Sequence, residues 1–238
     1  MSTTTAIQEH LSIVQSLAID GPTAVGKSVI GRALAISLEL FFCDTGLMYR
    51  AATLAVLRNG IEISDQEAIF QCVESSKINL TWETKDVPLV IMGGENVSSY
   101  LRGPAIDSTV SKVSELSKVR SVLIKQQRKI ADENPVVMVG RDIGTFILPE
   151  ARTKIFLNAS LEERARRRQG DELNAGRNTK YEEVLQSISS RDAADSTGHR
   201  AITADQAAKD AKVVDTDALS IVEVVDKCIA LYRKSNLI

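Results

Sequence analysis

Residues 21–28, GPTAVGKS, fit the pattern G-x-x-x-x-G-K-[ST], which holds phosphates. Gly21 and Gly26 let the chain curl so that backbone N–H groups face phosphate oxygens, with Pro22, Thr23, Ala24 and Val25 spanning the curl. Lys27 brings a point charge to the β- and γ-phosphates, and Ser28 supplies a hydroxyl for Mg²⁺. Val29 continues a helix whose N-terminal dipole adds positive potential. An apolar run, SIVQSLAID, precedes the loop and helical spacing follows it. That context separates a phosphate loop from a chance glycine turn. The loop implies a nucleoside triphosphate donor and leaves the acceptor open.

Three further stretches carry groups suited to an acceptor: DTGLMYR (44–50), VGRDIGT (139–145) and RDAADS (191–196). Arg50 and Arg141 offer planar guanidinium forks that grip a monophosphate with two parallel bonds. Arg191 and Asp195 lie one helical turn apart on one face. The run EERARRR places Arg164, Arg167 and Arg168 before a polar Gly/Asn-containing segment, 169–180. Taken singly, such residues form ordinary surface pairs and solvated helix ends. Imidazole and thiol chemistry is scarce: His10 and His199 are the only histidines, and Cys43, Cys72 and Cys228 lie far apart with no C-x-x-C pair. A zinc site is not expected.

The elements that must position these groups can be read from periodicity. Ile13–Ile19 reads as a buried strand, and Ile30, Leu34 and Leu38 recur at helical spacing after Gly26. A short strand at LFFC leads to a helix carrying Leu47, Ala51, Leu54 and Leu57, with Gly60 as its stop. Residues 61–103 change character: INLTWET and VPLVIMG read as β segments, so a small β-containing unit is expected to be inserted here. A helix is expected over 108–133, then strands at VVMV and TKIFLNAS, helices at LEERARRR and YEEVLQSISSRD, a strand at KVVDT and a last helix at SIVEVVDKCIALYRK. Continuous apolar strands alternating with helices predict an α/β fold, a doubly wound parallel sheet covered on both faces. The 238 residues suffice for one core, 13–60 with 104–238, after a polar tail at 1–12.

At this point the chain resembles a known family, the long-form bacterial cytidylate kinases among the P-loop nucleoside-monophosphate kinases. The resemblance runs in order from about residue 13 to about 232 and includes KIFLNASLEERARRR, VVDTDALSIVEVV and the helix carrying SKVR. It implies ATP as donor, Mg²⁺, and CMP or dCMP as acceptor. It places Arg50 and Arg141 on the acceptor phosphate, with Thr23, Thr45 and Tyr49 shaping the cleft. Ser111, Arg120 and Asp142 would contact the cytosine ring, where a carboxylate accepts from the base amino group and would oppose a keto group. Arg191 and Asp195 would hold the ribose hydroxyls, and Arg200 the phosphate. The segment near 164–182 would be a lid, with Arg164 on the donor nucleotide and Arg168 joining Lys27 and Arg141 at the transferring phosphoryl. The insert at 61–103 would be the monophosphate-binding unit.

The chain departs from the family in four places. Its loop ends AVGKS rather than in a glycine-richer form, and Val139 stands where many members carry an acid. Two extra residues precede Arg200, and the usual Pro-Leu after that arginine is absent. The loop wording also resembles tRNA dimethylallyltransferases, but no added basic domain accompanies it and GRDIGT is present instead. A regulatory module could bind nucleotide without transferring anything, and a kinase of this type could prefer UMP or pyrimidines more broadly. A net charge of −2 gives no overall basic field for nucleic acid. No apolar run approaches the ~20 residues of a membrane-spanning helix, and MSTTTAIQEHLS lacks the regions of a signal peptide. A cytoplasmic monomer without nucleic-acid or membrane partners is expected.

Overall fold

Leu17–Asp20 and Val136–Val139 are buried at every position, as strands covered on both faces must be. In the computed structural model, which describes residues 11–196 and 203–236, the chain runs β1 (Leu17–Asp20), α1 (Lys27–Leu38), β2 (Phe41–Asp44), α2 (Thr45–Arg58) and α3 (Gln66–Ser75). Next come β3 (Asn79–Thr84), β4 (Val87–Met92), β5 (Glu95–Asn96), α4 (Pro104–Glu115) and α5 (Ser117–Glu133). The rest is β6 (Val136–Val139), β7 (Thr153–Asn158), α6 (Leu161–Asn174), α7 (Tyr181–Asp195), β8 (Lys212–Asp215) and α8 (Ile221–Asn236). Five strands form a parallel sheet in the order β2-β6-β1-β7-β8, while β3, β4 and β5 form a separate antiparallel sheet.

Alternation along the strands divides the core in two. Leu17, Ile19, Phe42, Val137 and Val139 pack with Ile30 and Leu34 of α1 and Val224 and Cys228 of α8. Ala18, Cys43, Val136 and Met138 point the other way, against Met48 and Ala52 of α2 and Leu123 and Ile130 of α5. The sheet is therefore doubly wound. A small third cluster, Ala165, Val184 and Ile188, joins α6 to α7.

The antiparallel sheet covers the exposed side of β2. Trp82 Nε1 donates to the Phe42 carbonyl at 2.8 Å, the Phe42 amide donates to Lys85 O at 2.7 Å, and the Phe41 and Trp82 rings lie 4.9 Å apart. Edge groups of the large sheet are thereby paired rather than left open.

Three elements differ from their expectation. β1 begins at Leu17, and residues 11–15 are helical. Ser16 Oγ donates to the Ser12 carbonyl at 2.9 Å and accepts the Val136 amide, which ties the end of this turn to β6; a short apolar run suits helix and strand alike. The helix expected over 108–133 starts at Pro104, a favoured first-turn residue, and is broken at Leu116, whose ψ is 116°. Helical spacing on either side of one extended residue reads as a single period. Residues 61–103 also contain α3, whose Asp65 side chain accepts the Ala68 amide at 3.0 Å and whose Ile69 and Val73 are buried.

Candidate active site

All five strands of the large sheet are parallel, so their carboxyl ends share one edge, where ligands of such folds bind. The phosphate loop leaves β1 at this edge. Gly21 has φ 153°, and a Cβ there would lie 2.5 Å from the Leu157 carbonyl oxygen, so the loop's close approach to β7 requires glycine. Gly26, at φ 99°, turns the chain into α1, and Ala24 takes the left-handed conformation at φ 61°. Lys27 Nζ donates to Gly21 O at 2.7 Å and to Pro22 O at 2.6 Å, folded back over its own loop. Burial, aided by Arg141, pulls its pKa down to about 7.

Asp20 closes β1 beneath this loop. Its two carboxylate oxygens accept the amides of Ile143 at 2.7 Å and Gly144 at 2.8 Å. Burial pushes the carboxyl up to about 6, against those two amides. A π turn, Ile143–Ile147, is pinned in this way directly after Arg141 and Asp142. Arg141 donates to Thr23 Oγ1 at 2.7 Å and forms an ion pair with the buried Asp195 of α7. Asp142 pairs with Arg120 of α5, whose guanidinium lies 5.8 Å from the Tyr49 ring centroid. The expected base-reading pair is thus in contact and rests on an aromatic face.

The loop opens into a cavity of about 1110 Å³. Residues 23–29 form one side of it, and Arg50, Ser111, Arg168 and Arg191 line it as well. Arg50 is steered by the Leu101 carbonyl at 3.1 Å and by Asp107 at 2.7 Å, and Arg168 by Glu172 at 2.7 Å. Arg191 Nε has no hydrogen-bond partner among the described residues. Burial pushes its pKa down, and Arg50 and Arg168 add to this against Asp195. Several guanidinium groups brought to one space beside a phosphate loop mark a place for anions.

Of the other expected residues, Arg167 lines this space, while Thr45 and Arg164 lie around it. Thr45 is buried and donates to the Val139 carbonyl at 2.9 Å. Arg164 is 7% exposed and committed to Ala159 O, Thr23 O and Asp192, outside the residues that line the cavity. Arg167 reaches Thr216, at 3.0 Å to its hydroxyl and 2.6 Å to its carbonyl. Arg200 lies outside the described residues.

Asp20, Asp44, Asp192 and Thr216 belong to the site in addition to the residues expected from the sequence. Asp20 had a signal, an acid closing a continuous apolar strand immediately before the loop. Asp44 and Asp192 stand inside DTGLMYR and RDAADS, beside Thr45 and Arg191. Thr216 and Leu219, which line the cavity with Ile221 and Val224, come from the connection between β8 and α8. Nothing in their spacing ties them to the loop.

Residues 17–234 match the cytidylate kinase family. The chain belongs to that family. It is 44% identical over 226 residues to a cytidylate kinase of Caldanaerobacter subterraneus subsp. tengcongensis, covering 95% of this chain and 98% of the relative. A cytidylate kinase of Carboxydothermus hydrogenoformans is 41% identical over 92% of this chain and 98% of its own length. A solved shikimate kinase from Bacteroides thetaiotaomicron overlaps 92% of this chain and 96% of its own at 13% identity and a TM-score of 0.45. For a cytidylate kinase family member the phosphoryl donor is ATP. No described helix is long and apolar enough to cross a membrane.

Proposed function

We propose that this protein moves the γ-phosphoryl of ATP to CMP, and to dCMP as a second acceptor, leaving ADP. The observation that carries this reading is the shared cavity bounded by Lys27 and Ser28 on the phosphate loop and by Arg50 and Arg191 from two other helices. A triphosphate and a monophosphate held in one space allow direct in-line transfer from the γ-phosphorus to an acceptor oxygen. No enzyme nucleophile is required.

Each side chain has a task in this scheme. Lys27 neutralises the donor phosphates, and Arg141 and Arg168 take up charge on the transferring group. Arg50 and Arg141 hold the acceptor phosphate, with Arg200 assigned there too. Asp142, Arg120 and Ser111 read cytosine against Tyr49. Arg191 and Asp195 hold ribose hydroxyls, Asp195 while keeping Arg141 aligned. Arg164 serves the donor through the Thr23 backbone it grips. Val29, Leu219 and Ile221, which line the cavity, give an apolar wall for a flat base. Residues near 164–182, the later part of α6 and the turn to α7, act as a lid that shuts out water, a competing acceptor. Residues 61–103 act as the monophosphate-binding insert.

The residues present fit Mg²⁺. Ser28 Oγ sits at the loop's end, 2.6 Å from a carboxylate oxygen of Asp44, two hard oxygen donors of the kind this ion takes. When bound there, the ion supplies charge neutralisation between the donor phosphates. The protein would work as a monomer on cytoplasmic nucleotides.

Production of ADP measured over CMP, dCMP, UMP and AMP tests the reading. Turnover should be best with CMP and dCMP. Absence of turnover with CMP would overturn the function, and AMP as the best acceptor would overturn the base assignment.

A further inference from the structure

We propose that Asp44, at the carboxyl end of β2, is the carboxylate that anchors the divalent cation's water shell at this site. The inference rests on the reading that Ser28 takes the metal, and it assigns a second anchor that the phosphate loop itself does not contain.

Placement comes first. Phe42 and Val139 pack towards α1, and Asp44, two residues beyond Phe42 and in register with Val139, shares that side of the sheet. Ser28 stands in the first turn of the same helix. The Ser28 hydroxyl donates to Asp44 Oδ2 at 2.6 Å, which joins the phosphate loop to the end of a different strand. The other oxygen, Oδ1, accepts the Gly46 amide at 3.0 Å and caps α2. Asp44 is thus fixed at both oxygens, and Oδ2 keeps lone pairs beyond the one Ser28 uses.

Competing carboxylates are committed elsewhere. Asp20 is 4% exposed and spends both oxygens on the amides of Ile143 and Gly144. Asp192 spends its two on the Thr23 amide and Arg164. Val139, beside Asp44 in the sheet, is apolar and buried, and it packs so close to α1 that a Cβ on Gly31 would lie 2.5 Å from it. Among the described residues, Asp44 therefore brings the carboxylate oxygen that bonds the loop's hydroxyl. Mg²⁺ sheds water reluctantly and is commonly held by one or two carboxylates with substrate phosphates. A fixed, half-buried acid beside Ser28 accepts hydrogen bonds from such waters and cancels part of the ion's charge.

The test is calorimetric titration of the full chain with the β,γ-imido analogue of ATP, in EDTA and in Mn²⁺. The ratio of the two dissociation constants measures what the metal contributes to binding. Asp44→Asn preserves the cap on α2, since asparagine caps as well as aspartate. It should cut the ratio by roughly tenfold, the usual scale for losing a metal's outer partner, while binding in EDTA stays near wild type. A wild-type ratio in Asp44→Asn overturns the proposal. Ser28→Ala separates the two readings. If it lowers the ratio and Asp44→Asn does not, only the Asp44 assignment fails; if neither lowers it, the Ser28 reading fails too. Should the asparagine variant not fold, Asp44→Ser keeps a capping oxygen and carries the same comparison.

Discussion

Arg164 and Asp192 form an ion pair at 2.5 Å, and between them they hold both backbone groups of Thr23. Arg164 Nη1 donates to the Thr23 carbonyl at 3.0 Å, while the Thr23 amide donates to Asp192 Oδ1 at 3.1 Å. One residue of the phosphate loop is thereby fastened to α6 and α7 together. The side chains are only 8% and 15% exposed, so the pair counts as buried. Its effect is less to add net stability than to make either partner hard to remove.

Asp192→Ala should therefore destabilise the protein strongly, because it leaves a buried guanidinium unpaired. Breaking such a pair costs about 3–5 kcal/mol. For a chain of this size that lowers the melting temperature by roughly 10 °C, and the KM for ATP should rise as Thr23 is released. Scanning calorimetry with kinetics at a permissive temperature checks both. A melting temperature within about 2 °C of wild type, less than 1 kcal/mol would produce, would show the pair to be solvated.

Asp20 makes a comparable connection towards the acceptor. It ends the strand that launches the phosphate loop, and it holds the turn that follows Arg141 and Asp142. Asp20→Asn keeps the size but turns an N–H₂ towards one of the two amides, which leaves a buried donor unmet at a cost of about 1–3 kcal/mol. The KM for CMP should rise by roughly tenfold on that scale, with a smaller change for ATP. Equal increases for the two substrates would mean that Asp20 supports the donor loop alone.

The donor loop was legible from spacing because its chemistry is local: backbone amides, one lysine and one hydroxyl within eight residues. The sheet was legible for a similar reason, as continuous apolar runs mark strands buried on both faces. The contacts that assemble the site are not local. Arg141 meets Thr23 across 118 positions, Asp192 meets it across 169, and Arg167 meets Thr216 across 49. Periodicity carries no trace of such pairings. Helical spacing resumes at once on the far side of Leu116, which hides the break there. Arg50 and Arg141 offer the right chemistry to a phosphate, but their joint role came through resemblance, since an arginine alone does not reveal what it faces.

Lys27 gives a pH dependence with a definite sign. Burial and Arg141 lower its pKa from 10.5 to about 7, so above neutrality the free protein loses this charge. Phosphate oxygens favour the protonated form and raise the pKa again on binding. Nucleotide binding should then take up a proton above pH 7, and affinity should fall as the pH rises further. Titration of ADP calorimetrically in two buffers of different ionisation enthalpy measures that uptake. Identical heats in the two buffers about one unit above that pKa would show Lys27 to be charged throughout.

Asp142 should decide between cytosine and uracil. Its carboxylate is buried and paired with Arg120, an acceptor matched to an exocyclic amino group and opposed to a keto oxygen. Asp142→Asn can offer an N–H₂ in the same place and should shift kcat/KM towards UMP. A hydrogen-bonding mismatch at a buried group is worth about 1–3 kcal/mol, so the CMP-to-UMP ratio should fall by roughly tenfold to a hundredfold. Asp142→Ala should lose discrimination without gaining UMP activity, because it removes the acceptor and supplies no donor. Competition between the two nucleotides at fixed ATP reads both variants on one scale. An unchanged ratio in both would remove Asp142 from base recognition and leave it as the partner that orients Arg120.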